Sequence, residues 1–272
     1  MSDGYARPEA LVSTEWVVQH LDDPSIVIAE VDTDLRDGYG HVHVPGAVGW
    51  SLHDDLEAQT RRDLPMLASL EDLLGRSGID NDTTVVLYGD GNNRSATWAF
   101  WVLKYHRHGD VRLMNGGRKR WLAEGRPLSS EVPGPTAKTY RAGVPDRSLR
   151  ATRDHILSGL RNRTTRLVDT RTYEEYAGRV DATSGAPGSE IYRQGHIPDA
   201  VHVPWDDGAT EDGTFKPAEE LRRIYEQHGV TADQEVILYC RLGVRASYTW
   251  FVLKYLLGYG RVRNYDGSWT EW

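Results

Sequence analysis

Cysteine is nearly absent from this chain: its 272 residues contain one, Cys240. A lone cysteine excludes an intramolecular disulfide, and an unpaired thiol fits a reducing compartment better than a secreted one. Long apolar runs are missing too, since no stretch of the sequence approaches the ~20 residues that a membrane span needs. The opening Met1-Ser2-Asp3-Gly4-Tyr5-Ala6-Arg7-Pro8 has no apolar segment behind a basic start. A cytoplasmic protein with no membrane partner is therefore expected. Positive charge is in deficit, with 32 Lys and Arg against 40 Asp and Glu and a net charge of −8. Nucleic acids and acidic membranes are bound through a basic field that displaces counterions, so neither is an expected partner. The one dense basic run, Arg118-Lys119-Arg120 after Gly116-Gly117 and beside Trp121, reads as a solvated helix face.

What the sequence does contain points to folded domains. A hydrophobic content of 39% with nine Trp supplies the apolar surface that a disordered chain lacks. The length exceeds the ~100–200 residues usual for one domain, so two are expected. A search for internal repeats supports this. His43-Val44-Pro45-Gly46-Ala47-Val48 matches His196-Ile197-Pro198-Asp199-Ala200-Val201, and Val85-Val86-Leu87-Tyr88 matches Val236-Ile237-Leu238-Tyr239. Trp101-Val102-Leu103-Lys104-Tyr105 matches Phe251-Val252-Leu253-Lys254-Tyr255. Asn115-Gly116-Gly117 followed by Trp121 matches Asp266-Gly267-Ser268 followed by Trp272. The four landmarks come in the same order in both halves.

Short apolar runs bounded by polar residues or glycine read as buried parallel strands: 26–31, 85–88 and 111–114 in the first half, 166–169, 236–239 and 262–265 in the second. Amphipathic stretches over 69–77, 96–106, 150–160, 217–228 and 246–257 read as helices. This alternation is that of an α/β protein, with a small parallel sheet in each half and helices on both faces. Ser129-Ser130-Glu131-Val132-Pro133-Gly134-Pro135, with Pro145 beyond, resists helix and strand alike. The expected organisation is a domain over 1–127, a linker over 128–148 and a domain over 149–272. A Gly/Pro/Ser-rich insertion at 182–188 is expected to form a surface loop of the second half only.

Strand 236–239 runs directly into Cys240-Arg241-Leu242-Gly243-Val244-Arg245, which places the cysteine at the carboxyl end of a parallel strand and just before a helix. Ligands of open α/β sheets bind at that edge, and the unpaired amides of a helix start favour negative charge, as on a nucleophilic sulfur. The bland alternative, a small buried hydrophobe, is what most free cysteines are. The end of a strand before a glycine-containing, doubly basic turn is a poor place for one. Arg241 and Arg245 are read as holding an anionic substrate, because guanidinium groups match oxyanions in geometry. Gly243 either permits a backbone that wraps its amides around the sulfur or is a plain turn glycine. Val244 completes the substrate-binding loop. Arg171, two residues after Asp169 at the end of another strand, either assists in binding or forms a structural ion pair.

These residues resemble the rhodanese family, the thiosulfate sulfurtransferases, from about Leu11 to Trp272. The Cys-Arg-x-Gly-x-Arg loop is similar to that of the thiosulfate-using branch, whereas the mercaptopyruvate-using branch typically has Cys-Gly-Ser/Thr-Gly-Val-Thr. His196-Ile197-Pro198-Asp199-Ala200 and Asp266-Gly267-Ser268-Trp269 add to the resemblance. It implies two tandem rhodanese-like domains, of which only the C-terminal one is catalytic. Consistently, Tyr88 is followed by Gly89-Asp90-Gly91-Asn92-Asn93, with no nucleophile. The implied reaction carries the outer sulfur of thiosulfate through a Cys240 persulfide to cyanide, a small thiol or a protein acceptor, without metal or organic cofactor. Mercaptopyruvate as donor, and a non-enzymatic persulfide carrier or sensor, are the alternatives. A cysteine phosphatase would need Cys-x5-Arg, one residue longer than the spacing from Cys240 to Arg245. Two departures concern substrate anchoring: vertebrate enzymes have a lysine where this chain has Leu242, and a substrate-binding arginine that aligns with Glu175. The pairs His41/His43 and His106/His108 lack further ligands at metal spacing. The tryptophans are expected in the core.

Overall fold

The computed structural model describes residues 3–36, 38–58, 63–162, 165–179 and 193–272. The chain divides into two compact units, one of Glu9–Asp146 with Glu211–Phe215, the other of Met1–Pro8, Arg147–Thr210 and Lys216–Trp272. The insertion at 182–188 lies outside the described residues.

In the N-terminal unit the strands are β1 (Leu11–Val12), β2 (Ile26–Asp32), β3 (Val48–Ser51), β4 (Thr84–Tyr88) and β5 (Val111–Met114). They form one sheet in the order β1-β5-β4-β2-β3 with every pair parallel. The C-terminal unit has β6 (Thr165–Asp169), β7 (Val201–His202), β8 (Glu235–Tyr239) and β9 (Val262–Asn264), in the parallel order β7-β6-β8-β9. The reason is in the residues. Val85–Tyr88 and Val236–Tyr239 are apolar at every position and entirely buried, as strands in the middle of a covered parallel sheet must be. β1, β3 and β7 were not among the expected strands. They are two to four residues long, and β3 and β7 begin at the valines that close the His-x-Pro-x-Ala-Val landmarks, where turn residues mask the extended run.

The helices Leu67–Arg76, Asp90–Tyr105 (left-handed and non-helical at Gly91, Asn92 and Asn93), Arg153–Asn162, Ala218–Glu226 and Val244–Phe251 lie over the five expected stretches. The last begins earlier than expected, at Val244, and passes into a π-helical turn over Val252–Leu256. One core gathers Val17, Ile28, Val86, Met114 and Trp121, the other Ile156, Leu167, Ile237, Tyr265 and Trp269. Each such side chain contributes about 1.5–3 kcal/mol by leaving water. Trp50, Trp98, Trp101, Trp121 and Trp250 are fully buried, as core packing requires.

Residues 128–146 contain no helix or strand, and lie along the N-terminal unit. Ser129 and His43 exchange backbone hydrogen bonds of 2.9 Å, Lys138 N donates to Gly75 O at 2.9 Å, and Asp146 N donates to Tyr105 O at 2.7 Å. The basic run 118–120 departs from the solvated face expected of it. Arg118 is buried and paired with the fully buried Glu30 at 2.8 Å, and it donates to Val42 O at 2.7 Å. Lys119 remains exposed.

Candidate functional site

β8 ends at Tyr239, and the chain leaves the sheet through Cys240 to Gly243 before the helix starts at Val244. Gly243 sits at the helix N-cap with φ +84°, a left-handed conformation that costs residues with a β carbon roughly 1–2 kcal/mol. That turn aims the Gly243 amide back along the loop, where it donates to Cys240 Sγ at 3.0 Å. The sulfur thus faces an amide at the positive end of a helix, an arrangement that stabilises an anion there. Cys240 is 1% exposed.

The loop is braced by residues from the end of β9 and the segment after it. Cys240 N donates to Ser268 Oγ at 3.1 Å, and that hydroxyl donates to Tyr265 O at 2.7 Å. Cys240 O accepts from Trp269 N at 3.1 Å, and Arg241 O accepts from Thr270 N and Thr270 Oγ1 at 3.2 and 2.9 Å. Asn264 Nδ2 donates to Gly243 O at 3.1 Å. Three of the loop's four positions, Cys240, Arg241 and Gly243, are therefore fixed by residues 264–270. Ser268 stood out within the motif Asp266-Gly267-Ser268-Trp269, but Thr270 and Asn264, which also brace the loop, did not stand out in the sequence.

The arginines fall in different settings. Arg241 and Val244 are buried, and Leu242 is half-buried. Arg245 meets Glu175 in a two-pronged ion pair, Nη1 to Oε2 at 2.6 Å and Nη2 to Oε1 at 2.8 Å. Glu175 is placed for this by a capping box: Thr172 Oγ1 accepts from Glu175 N, and Glu175 Oε2 accepts from Thr172 N at 3.1 Å. Burial by itself would raise the Glu175 carboxyl, but the hydrogen bonds and charge of Arg245 bring it down to about 2. Burial likewise works against the Arg245 charge, and Glu175 together with the Cys240 sulfur overcomes it, leaving the guanidinium above its ordinary value. Glu175 is thus the counterion of the loop arginine Arg245.

Arg171 takes the structural alternative offered for it. It is 1% exposed, pairs with Asp169 at 2.6 Å, donates to Gly195 O at 2.7 Å and stacks over the Trp269 ring at 4.6 Å. Its Nε and Nη2 donors are held by Asp169 and Gly195, within the frame of the site. His196 stacks on Tyr176 at 3.8 Å, as His43 does on Tyr39 at 4.2 Å, so the equivalent histidines share a structural role. No metal-binding cluster of His, Cys, Asp or Glu occurs among the described residues. No described helix is long and apolar enough to cross a membrane.

The fold and this loop define a duplicated α/β protein that presents a cysteine to a helix start in its second unit. The family model of the rhodanese-like domain matches residues 13–124 and again 152–272. The chain belongs to the rhodanese family. It is 48% identical over 272 residues to the "Sulfur carrier protein TtuD" of Thermus thermophilus, covering 99% of this chain and 95% of that one. It is 46% identical over 267 residues to a "Putative thiosulfate sulfurtransferase" of Saccharopolyspora erythraea, covering 98% and 94%. Among solved structures it is similar to the anaerobic ergothioneine biosynthesis enzyme of Chlorobium limicola in complex with trimethyl histidine. That match has a TM-score of 0.87 and 27% identity, over 98% of this chain and 69% of the other. A related structure of EanB, with a cysteine persulfide and ergothioneine, matches with a TM-score of 0.86 at 27% identity, covering 98% and 69%. Sulfurtransferase activity follows from the family.

Proposed function

We propose that this protein is a thiosulfate sulfurtransferase that carries the transferred sulfur on Cys240. The observation behind this reading is the 3.0 Å hydrogen bond from the Gly243 amide to Cys240 Sγ at a helix start, in a loop that also holds Arg241 and Arg245. The Cys240 thiolate attacks the outer sulfur of thiosulfate. The S–S bond of the donor breaks, its electron pair leaves with sulfite, and a new S–S bond joins the sulfur to Cys240. An acceptor such as cyanide, or a thiolate on a small molecule or a protein, then attacks the outer sulfur of the persulfide and returns the Cys240 thiolate. Both half-reactions pass through one covalent intermediate and imply ping-pong kinetics. Neither calls for a metal or an organic cofactor. The relative named a sulfur carrier protein supports onward transfer of the sulfur to an acceptor, and the persulfide form of EanB supports a persulfide as the intermediate.

The test is to incubate the protein with thiosulfate and weigh it. A gain of one sulfur atom on Cys240, removed by cyanide, is expected, and Cys240→Ala should show no gain and no turnover while keeping its fold. Substantial turnover by that variant would overturn the mechanism.

A further inference from the structure

Two arginines that the sequence offers to an anion are each matched by a buried carboxylate. Arg171 is held by Asp169 at 2.6 Å, and Arg245 by Glu175 through two hydrogen bonds of 2.6 and 2.8 Å. Glu175 is 7% exposed and stays ionised through neutral pH, because Arg245 outweighs the effect of burial. It is not incidental to the helix start. Its Oε2 is shared between Arg245 Nη1 and the Thr172 amide, so the capping box that begins the helix Tyr173–Tyr176 also fixes the carboxylate. The pairs cancel formally, so a dianion entering beside Cys240 meets the Arg245 charge already offset by Glu175.

We infer that Glu175 is a specificity-determining residue that attenuates the Arg245 charge and so weakens selection for dianionic sulfur donors relative to monoanionic ones. The inference rests on Cys240 as the sulfur carrier and on donors that approach it beside Arg245. Its physical content is that one fixed negative charge acts on a donor in proportion to the donor's own charge. Removing it lowers the energy of a dianion twice as much as that of a monoanion, so the gain for one is the square of the gain for the other.

The experiment compares wild type, Glu175→Gln and Glu175→Asp with thiosulfate and with mercaptopyruvate as donors, cyanide as acceptor, at low and high salt. Glutamine keeps the size and one acceptor for Arg245 but unmasks the guanidinium. In that variant kcat/KM should rise about tenfold for thiosulfate and about threefold for mercaptopyruvate at low salt, and both gains should shrink as salt rises. The aspartate variant, which restores the charge, should return the donor ratio to that of the wild type. A role confined to placing Arg245 predicts the opposite, an equal loss for both donors, and that result overturns the inference. So does a wild type whose thiosulfate kcat/KM falls steeply with salt, as an uncompensated arginine clamp would require, and this measurement stands even if the glutamine variant does not fold. Sulfur loading of Cys240 is read by mass in the same samples. Loading with an unchanged donor ratio overturns the Glu175 assignment alone, whereas no loading of the wild type by either donor overturns the carrier reading with it.

Discussion

The two units carry the same frame around different loops. In both, a tyrosine ends the central strand and its hydroxyl accepts an amide from the histidine-proline landmark: Tyr88 from Val44 at 3.0 Å, Tyr239 from Ile197 at 3.1 Å. In both, a histidine of that landmark stacks on a tyrosine. The residue after the tyrosine is Cys240 in one unit and Gly89 in the other. From there they part. Cys240 Sγ faces the Gly243 amide, and the following helix starts after one left-handed residue. The loop after Gly89 has three in succession, Gly91, Asn92 and Asn93, with φ of +54°, +57° and +64°. Asn93 is turned into the frame, its Oδ1 taking the Gly89 amide at 3.0 Å and its Nδ2 reaching Met114 O at 2.7 Å. The ionic surroundings differ as well. Asp169 has Arg171 for a partner, but the equivalent Asp32 is followed at the same spacing by Asp34. The two units thus share a frame and differ in the loop that follows the tyrosine and in the charge beside the equivalent aspartate.

The sharpest attempt to break this contrast is to put the nucleophile back. A β carbon on Gly89 would stand 2.3 Å from Val31 O and 3.2 Å from Asp32 Oδ1. Backbone cannot yield as a flexible side chain can, so Gly89→Cys must shift a strand or a loop. Overpacking of a tight interior typically costs 1–3 kcal/mol, and this contact belongs at or above the top of that range. The expected outcome is a destabilised N-terminal unit with no second sulfur after thiosulfate treatment, seen as one sulfur per chain by mass. Two sulfurs would show that the missing cysteine alone separates the units.

Arg245→Ala sharpens the contrast from the other side. It removes a positive charge and leaves Glu175 buried without its counterion. Breaking a buried pair on one side generally costs ~3–5 kcal/mol, more than the pair itself is worth. We expect the C-terminal unit to lose stability by about that amount, and kcat/KM for thiosulfate to fall roughly ten- to a hundredfold, as for a lost charge-assisted contact of ~1.5–3 kcal/mol. Adding Glu175→Gln should recover most of the stability, which urea unfolding would show. A single variant as stable as the wild type would mean that the pair is not holding the loop.

The place of Cys240 was legible in the sequence because it depends on neighbours: an apolar run, a cysteine, a glycine and a helical pattern follow one another within about a dozen residues. The repeat made the α/β duplication legible for the same reason. Partnerships across the fold were not. Glu175 and Arg245 are 70 residues apart, and no local pattern says which carboxylate a given arginine will meet. Arg118 read as a surface residue because its nearest neighbours in sequence are basic, yet its counterion, Glu30, lies 88 residues away in the middle of β2. For Arg171 the ion pair with Asp169 was legible because its partner lies two residues away. The bracing hydroxyl of Thr270 was invisible, and that of Ser268 was seen only as part of a motif, because a hydroxyl residue carries no sign of where it points.

The last test uses pH to read the charge difference between the units. Asp32 is 7% exposed. Its Oδ1 accepts the Asp90 amide at 2.9 Å, and its Oδ2 has no hydrogen-bond partner among the described residues. Burial is the main cause that pushes its carboxyl up to about 7; the charges of Asp90 and Glu30 add to the rise, and the Asp90 amide and Arg118 oppose it. A carboxyl raised on folding gives stability that is complete below its unfolded value, near 3.8, and is lost as pH climbs through about 7. The N-terminal unit should therefore weaken between pH 5 and pH 8, where the wild type must ionise a poorly solvated group. Asp32→Asn keeps an acceptor for the Asp90 amide and cannot ionise. Its advantage over the wild type should be small at pH 5 and grow by about 1–3 kcal/mol by pH 8, within the ceiling of ~1.4 kcal/mol per pH unit for one group. Hydrogen exchange of the β2 and β4 amides reports on this unit alone, and the β6 and β8 amides serve as the internal control. Asp169, paired with Arg171, gives no reason for the C-terminal strands to follow the substitution. Equal protection of β2 and β4 in wild type and variant at pH 8 would mean that Asp32 is accommodated as a charge, and that the two frames differ in their loops but not in their electrostatics.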